Sequence, residues 1–307
     1  MRWTDPSWRA GADEWLRAQA ERLGLAPVGR IEQTHVQAWG TVLRAETAGD
    51  VVWLKATAPE LRHEVGLTRL LAERAPHVSP QLLAADDERG LLLLADAGAR
   101  LRELVGEERS LARWLDVLPL YAELQLALAP QAERLLALGV PDLRLPALAP
   151  RLETLLRRLE HEDAARALAL VPRVAELAEA LAAHGLPDTA QHDDLHDAQV
   201  FFRDGRYRVL DWGDACVAHP YLSLSVALEG VIAWGVDDAE GSEELAPYRD
   251  AYLGPWREAY PDVDHEAAVA VALPLGWACR VVNGHVEGDD GPTLARLGML
   301  RQGLERV

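Results

Sequence analysis

Cysteine, lysine and asparagine are scarce in this sequence of 307 residues, which contains two cysteines, one lysine and one asparagine. The two cysteines, Cys216 and Cys279, cannot build a disulfide framework, and so small a number is typical of proteins in reducing compartments. The residues after Met1 include no apolar stretch of the kind found in secretory signals. We therefore expect a cytoplasmic protein.

Basic residues are also few, since 31 Lys and Arg stand against 49 Asp and Glu, a formal net charge of −18. This balance argues against a protein that follows nucleic-acid phosphates or that binds an anionic membrane. The apolar stretch from Ala267 to Val282 is short for a membrane span and contains Pro274, so we interpret it as a pair of buried helices. We expect a small-molecule ligand, no nucleic-acid or membrane partner, and a monomer or homodimer.

The hydrophobic pattern changes along the chain and suggests two lobes. An amphipathic helix is predicted over residues 7–23, with Asp5 or Ser7 as its cap. The first hundred residues then alternate in the manner of β-strands, and the segments predicted as strands are 28–31, 39–46, 51–55 and 91–94. A helix is predicted to begin at Pro59. Beyond residue 96 the pattern is mainly helical, with helices predicted at about 110–138, 150–160 and 172–184.

The single lysine, Lys55, lies near the end of the third predicted strand, and Glu64 lies in the helix that follows. An ammonium group is a compact point charge, whereas the guanidinium that the other 30 basic residues carry is a wide planar fork. Taken alone, one surviving lysine is explained by compositional bias. Its neighbourhood makes a specific role the better hypothesis.

One polar segment interrupts the helical part, and residues 191–199 read Gln-His-Asp-Asp-Leu-His-Asp-Ala-Gln. After a predicted short hairpin comes Asp211-Trp212-Gly213. Oxygen-bearing side chains on loops beside a tight hairpin can converge, and here they are Asp194, Gln199 and Asp211. Phosphoryl transfer uses one carboxylate to orient the attacking hydroxyl and further oxygen ligands to hold Mg²⁺.

Together these motifs resemble the protein-kinase-like fold, and specifically the aminoglycoside phosphotransferase/choline kinase group of small-molecule kinases. In that group the catalytic loop reads approximately His-Gly-Asp-Leu-His-x-x-Asn, and the metal-binding turn reads Asp-Phe/Trp-Gly. The resemblance implies an α+β, bilobal fold. Residues 1–96 would form a nucleotide-binding lobe with a small antiparallel sheet and one key helix, and residues 97–307 a larger, mainly helical lobe that carries loop 191–199 and turn 211–213.

The resemblance also implies an enzyme that transfers the γ-phosphate of ATP or GTP to a hydroxyl of a small metabolite or antibiotic. Asp194 would be the catalytic base. Gln199 and Asp211 would bind Mg²⁺, while Lys55 and Glu64 would form the ion pair that steadies the nucleotide phosphates.

Further residues would support this site. The resemblance implies that the backbone of Leu94, Ala95 and Asp96 forms the hinge that binds the nucleotide base. His192 would brace the catalytic loop rather than react.

The sequence departs from the group at three positions. Gln199 replaces the usual Asn and offers the same amide oxygen on a longer stem. Asp193 replaces Gly, and its carboxylate could raise the pKa of Asp194, contact a cationic substrate or point to solvent. Ser223 stands where the group often has Asp, which could alter how the loop is braced.

The acceptor is the least defined part of the prediction. Three acidic residues, Asp193, Asp214 and Glu229, would suit a cationic acceptor such as an aminoglycoside, an amino sugar or an amino alcohol. Neutral sugars and amino acids stay open as acceptors, because acidic residues are frequent throughout this chain.

Two other classes of function stay open. One is a kinase-shaped regulatory module that binds nucleotide without transferring phosphate, which the changes at Asp193 and Gln199 motivate. The other is a metal-dependent hydrolase of the His-Asp type, because two histidines and three aspartates lie between His192 and Asp197. That second alternative needs additional ligands elsewhere in the chain.

Overall fold

The computed structural model describes residues 2–25, 27, 29–234 and 245–307, and for residues 229–234 it describes the backbone only. Val28, with which the first predicted strand begins, lies outside these residues, as does the side chain of Glu229. The described chain forms two compact units. One comprises Met1–Ala99 with Phe201–Gly213, and the other Arg100–Val200 with Asp214–Val307. The sequence-based division instead ended the first lobe at residue 96 and assigned turn 211–213 to the second.

The first unit contains a five-stranded antiparallel sheet in the order β1-β2-β3-β5-β4. Its strands are β1 (Glu32–Val36), β2 (Gly40–Glu46), β3 (Val51–Thr57), β4 (Leu82–Asp86) and β5 (Leu91–Ala95). The predicted α+β class is confirmed. The prediction of a strand at 28–31 is wrong, because the first strand is the mostly polar segment at the sheet edge, where apolar alternation is weak. Strand β4, at the other edge, was not predicted, and its sequence Leu-Leu-Ala-Ala-Asp shows no alternation of apolar and polar residues.

Two helices cover the opposite faces of this sheet. Helix α1 (Pro6–Arg22) begins after Asp5, whose carboxylate accepts hydrogen bonds from the backbone N–H groups of Ser7 and Trp8. Helix α2 (His63–Arg74) follows a separate 3₁₀ turn at Pro59–Leu61, so the predicted start at Pro59 is that of the turn.

Strand β5 is apolar without interruption because both of its faces are covered by helices. Leu93 packs with Leu54 and with Leu16 of α1, whereas Leu92 packs with Val65 of α2. Since successive side chains of a strand point to opposite faces, Lys55 faces the same side as α2.

A hairpin of the first unit precedes the Asp-Trp-Gly turn. It consists of β8 (Val200–Arg203) and β9 (Arg206–Val209), while the short strand β6 lies at Ala99–Arg100. The Val209 N–H donates to the Val78 carbonyl at 2.8 Å, and Arg208 Nη1 donates to the Ser79 carbonyl at 2.6 Å. These contacts anchor the hairpin beside the C-terminal end of α2.

The second unit is mainly helical, with one antiparallel pair of strands, β7 (Thr189–Gln191) and β10 (Cys216–Ala218). Its helices are α3 (Leu101–Glu108), α4 (Trp114–Leu128), α5 (Ala132–Ala137), α6 (Leu145–Arg158), α7 (Glu162–Ala167), α8 (Val171–Ala182), α9 (Ser223–Trp234), α10 (Ala246–Ala259), α11 (His265–Asn283) and α12 (Gly291–Leu304).

Helix α11 corrects the prediction of a helix pair between Ala267 and Val282. It is one continuous helix with Pro274 inside it, and its buried residues on both sides of the proline keep it together through packing. By length and composition alone α11 could cross a membrane, but 61% of its most apolar window is buried in the unit. That degree of burial is typical of a core helix.

Candidate functional site

The lone lysine lies between two carboxylates of the first unit. Lys55 Nζ is 2.5 Å from Glu64 Oε1 and 2.5 Å from Asp211 Oδ1. Burial lowers the pKa of Lys55, but the negative charges of Asp211 and Glu64 outweigh this effect and raise the pKa above its ordinary value. Burial raises the pKa of Glu64, although the positive charge of Lys55 acts to lower it. The lysine is therefore a fixed ammonium on the α2 face of the sheet.

The turn that carries Asp211 has an unusual backbone. Asp211 adopts a φ of 66°, in the left-handed region, where Asp is among the non-glycine residues best tolerated. The next residue, Trp212, is fully buried and donates its indole N–H to the Val209 carbonyl at 2.9 Å. His63 Nε2 lies 3.0 Å from the Gly213 carbonyl oxygen. The anchored turn leaves the Asp211 side chain 53% exposed while it contacts Lys55.

The three residues predicted as the hinge lie at the end of strand β5. Leu94 lies within the ladder between β3 and β4, and the Ala95 N–H donates to the Gln81 carbonyl at 3.0 Å. Asp96 lies beyond the strand, and its carboxylate accepts hydrogen bonds from Trp53 Nε1 and Arg203 Nη1. Of the three predicted residues, Asp96 is thus the one whose backbone is outside the sheet.

The catalytic-loop candidate, residues 191–199, belongs to the second unit and is braced by α4. The His192 N–H donates to the Tyr121 hydroxyl at 3.0 Å, and that hydroxyl lies 2.9 Å from Ser223 Oγ. Gln125 Nε2 donates to Ser223 Oγ at 3.2 Å. Ser223, which replaces the group's usual Asp, therefore reaches the loop through Tyr121. The His192 ring accepts the Asp194 N–H at 3.4 Å, which agrees with a bracing position.

The Asp194 carboxylate is held from two sides. Its Oδ1 lies 2.6 Å from Arg280 Nη2 of helix α11, and its Oδ2 lies 3.6 Å from His196 Nε2. The Ala198 N–H lies 3.1 Å from His196 Nδ1, and the other ring nitrogen, Nε2, faces Asp194. Burial opposes ionisation, but the contacts with His196 and Arg280 lower the pKa of Asp194 to about 2. The side chain remains 29% exposed.

Asp193 does not lie where the prediction of a substrate contact requires. Its side chain is 1% exposed, and its carboxylate accepts hydrogen bonds from Gln191 Nε2 and Asn283 Nδ2, each at 3.0 Å. Burial raises the pKa of Asp193 to about 6 despite the nearby charge of Arg280. The backbone φ of 63° turns the side chain into the unit, where polar partners satisfy it. It therefore points neither to solvent nor to a substrate.

The oxygen donors named for a metal fit Mg²⁺ by their chemistry. The Asp211 carboxylate is a hard ligand on an exposed side chain, and Gln199 is half-buried with its Nε2 3.5 Å from His196 Nε2. Within the described residues the Gln199 amide oxygen accepts no hydrogen bond. Carboxylate and amide oxygens are ligands that Mg²⁺ accepts. The two side chains belong to different units, so their agreement with Mg²⁺ is one of donor-atom type.

Sequence reasoning missed Arg280 and Asn283. Arg280 is one of 30 arginines, so nothing distinguishes it before α11 is placed beside the loop. Asn283 is the only asparagine, and its Nδ2 donates to Asp193 Oδ2 and, at 2.6 Å, to the Asp214 carbonyl. Its rarity was a usable signal of the same kind as that of Lys55.

Within the part of the chain that the structure describes, the histidines of loop 191–199 belong to no cluster of possible metal ligands. Among the described residues, the group of three or more His, Cys, Asp or Glu side chains close enough to share an ion is Asp193, Cys216 and Cys279, and all three are buried. The two cysteines are free, with their sulfurs 3.8 Å apart. Burial raises the pKa of Cys216, as expected for a small core residue rather than a nucleophile.

Comparison with known proteins identifies the family. A family model described as the phosphotransferase enzyme family matches residues 34–264, about three quarters of the 307-residue chain. No protein of curated function matches the chain by sequence.

Similar solved structures share the fold at low sequence identity. Choline kinase from Streptococcus pneumoniae is 14% identical, with a TM-score of 0.64 over 96% of this chain and 99% of that one. Plasmodium vivax ethanolamine kinase is 12% identical, with a TM-score of 0.62 over 98% and 88% of the two chains. Macrolide 2'-phosphotransferase from Brachybacterium faecium is 20% identical, with a TM-score of 0.55 over 92% and 98%. By the extent of the family match, the chain belongs to the phosphotransferase enzyme family, whose protein-kinase-like fold it shares.

Proposed function

We propose that this protein is a small-molecule kinase that transfers the γ-phosphate of ATP or GTP to a hydroxyl of a small metabolite or antibiotic. The observation that carries the proposal is the cluster of Lys55, Glu64 and Asp211 in the first unit. A buried glutamate holds an ammonium in place, and an exposed aspartate lies beside it on an anchored turn. This is the arrangement that phosphoryl transfer requires for binding phosphates and a metal ion.

Each remaining residue has a defined task in the proposed reaction. Asp194 accepts a hydrogen bond from the acceptor hydroxyl and aligns its oxygen for attack, since its carboxylate is ionised and partly exposed. Gln199 and Asp211 would hold Mg²⁺, which, when bound, offsets the charge of the transferred phosphoryl group. Lys55 binds the nucleotide phosphates.

For the acceptor we propose a hydroxylated amine, such as an amino alcohol, an amino sugar or an aminoglycoside. Similar structures carry the names of choline, ethanolamine and macrolide kinases. Asp214 supports this class, because its side chain is 36% exposed and negatively charged although one oxygen pairs with Arg280. Asp193 is too deeply buried to contact an acceptor. Glu229 lies outside the described side chains.

The first test is a thermal-shift titration with ATP, GTP and ADP, each with and without Mg²⁺. Nucleotide at a hundredfold excess over Kd stabilises the folded protein by about 2.7 kcal/mol, which raises Tm by roughly 4 °C for a chain of this length. A shift that requires Mg²⁺ supports the kinase. A shift of the same size with and without Mg²⁺ supports the regulatory module instead. The absence of a shift with every nucleotide contradicts both hypotheses.

The second test is release of ADP or GDP in the presence of choline, ethanolamine, glucosamine and aminoglycosides. Asp194→Asn should abolish transfer while leaving nucleotide binding nearly unchanged. Asp204→Asn, in the exposed turn of the β8–β9 hairpin, is the matched control and should behave like the wild type. Normal turnover by Asp194→Asn would refute the assignment of the base.

A further inference from the structure

Arg280 occupies a central place in the second unit that no prediction assigned to it. Its side chain is 6% exposed, and its two terminal nitrogens contact different carboxylates. Nη2 lies 2.6 Å from Asp194 Oδ1, while Nη1 lies 2.8 Å from Asp214 Oδ2 and 3.5 Å from Asp193 Oδ2. One guanidinium therefore bridges three aspartates from two segments of the chain.

The family match offers no role for this residue. It ends at residue 264, sixteen residues before Arg280, so helix α11 lies wholly outside it. The contact with Asp194 is an observation of this structure. Because the guanidinium is almost fully buried, it is too enclosed to bind an acceptor molecule and acts through the carboxylates it touches.

We propose that Arg280 is a positioning residue for phosphoryl transfer, which fixes the orientation of the Asp194 carboxylate and keeps it ionised. This inference rests on the proposed function. The planar fork of an arginine can donate to two carboxylates at once, which a lysine ammonium does not reproduce. By holding Oδ1, Arg280 restrains rotation of the carboxylate and leaves its exposed part to receive the acceptor hydroxyl.

The consequence for the reaction is a late proton transfer. The acceptor oxygen forms a bond to the γ-phosphorus, the bond from that phosphorus to the bridging oxygen breaks, and the nucleoside diphosphate leaves. The hydroxyl proton passes to the Asp194 carboxylate. A carboxylate stabilised by a guanidinium is a weak base, so orientation of the hydroxyl contributes more than early deprotonation.

The charges around Asp194 decide the expected pH dependence. The groups that face it are His192, Asp193 and His196 of the loop, Asp214 after the turn, Arg280 of α11 and Arg296 of α12. With Arg280 present, Asp194 stays ionised throughout the range in which the protein can be assayed. Without it, burial favours the protonated carboxyl, and His196 and His192 are the groups left to oppose protonation.

The test compares Arg280→Gln and Arg280→Lys with a control, Arg257→Gln. Arg280→Gln should lower kcat on the order of a hundredfold with little change in the KM for nucleotide. Its kcat/KM should begin to fall in acid at a higher pH than that of the wild type. Arg280→Lys restores a charge without the fork, so its acid profile should return towards that of the wild type while kcat recovers in part. Arg257→Gln removes an arginine of α10 that pairs with Asp250 and Glu266, and it should leave kcat and the acid profile unchanged.

A second readout does not depend on turnover. A ¹³C NMR titration of labelled aspartate carboxyls, with the Asp194 signal assigned by its loss in Asp194→Asn, should show a higher pKa in Arg280→Gln, or in Arg280→Lys if the first variant does not fold. An unchanged Asp194 pKa, or an Arg280→Gln variant that is merely less stable but keeps kcat and the pH profile, would overturn the proposal. If the wild type transfers no phosphate, the proposed function fails, and the NMR titration still decides whether Arg280 keeps Asp194 ionised.

Discussion

Lys55 and Asp211 are 156 positions apart in the chain, yet Lys55 Nζ lies 2.5 Å from Asp211 Oδ1. The contact joins the third strand of the sheet to the turn after the β8–β9 hairpin. Glu64 holds the ammonium from the other side, so the lysine has little freedom to adopt another position. Fixed charges of this kind cost no reorganisation when a charged ligand arrives, which is what phosphoryl transfer requires.

Replacing Lys55 by arginine should reduce kcat/KM on the order of a hundredfold or more, although the charge is kept. The guanidinium is wider than the ammonium and cannot occupy the same 2.5 Å contacts with Glu64 and Asp211. Steady-state nucleoside diphosphate release measures the effect. Arg69→Lys, an exposed position of α2 paired with Asp87, is the control and should be neutral. Full activity of Lys55→Arg would mean that the lone lysine is a compositional accident.

Loss of the Gln199 amide should weaken the use of Mg²⁺. Gln199→Ala is expected to raise the Mg²⁺ concentration needed for half-maximal rate by about tenfold or more. Gln199→Asn retains the amide oxygen and should have a smaller effect. Rates measured across a Mg²⁺ titration at saturating nucleotide check this expectation. Identical Mg²⁺ dependence in Gln199→Ala and the wild type would remove Gln199 from the metal site.

Two glycines of neighbouring helices should respond in opposite directions to the same substitution. A Cβ at Gly276 of α11 would overlap Ser225 Oγ and the Leu222 carbonyl oxygen, so Gly276→Ala should destabilise the protein by about 1–3 kcal/mol. A Cβ at Gly298 of α12 meets no described atom within 4 Å, so Gly298→Ala should stabilise by about 0.5–1 kcal/mol. Urea unfolding measures both changes, and equal effects would contradict the close approach at Gly276.

His219 should make the protein less stable in mild acid. It is buried, its Nδ1 accepts the Tyr221 N–H, and burial together with the charge of His184 lowers the pKa of His219 to about 3. Between pH 6.5 and 3 the unfolded chain binds a proton at this position that the folded protein does not. The free energy of unfolding therefore falls as pH decreases, by up to about 1.4 kcal/mol per pH unit from this residue.

The comparison of wild type with His219→Asn isolates this contribution. Asparagine can still accept the Tyr221 N–H but does not titrate. Urea unfolding at pH 7.0, 6.0 and 5.0 should show a steeper loss of stability in the wild type than in the variant. Parallel slopes would show that His219 is protonated in the folded protein.

Several features of the fold follow from local pattern alone. The apolar run at Leu91–Leu94 predicts a strand, and in the structure both faces of that strand are covered, by α1 and α2. The loop predicted to be catalytic and the turn at Asp211 are short contiguous motifs, so they can be recognised without any knowledge of tertiary contacts. Edge strands such as β1 are different, because their pairing comes from a neighbour and not from their own apolar periodicity.

Residue type and order along the chain therefore establish the class of fold and the family, and the proposal for the phosphate- and metal-binding residues rests on them. They do not reveal which distant side chains contact the residues of the predicted site. Three features of the site are consequences of how α4, α9 and α11 pack. Asp193 is buried, Ser223 braces the loop through Tyr121, and Arg280 holds Asp194. Contacts between segments tens of residues apart depend on that packing, and an arginine among thirty carries no local signal of its partner.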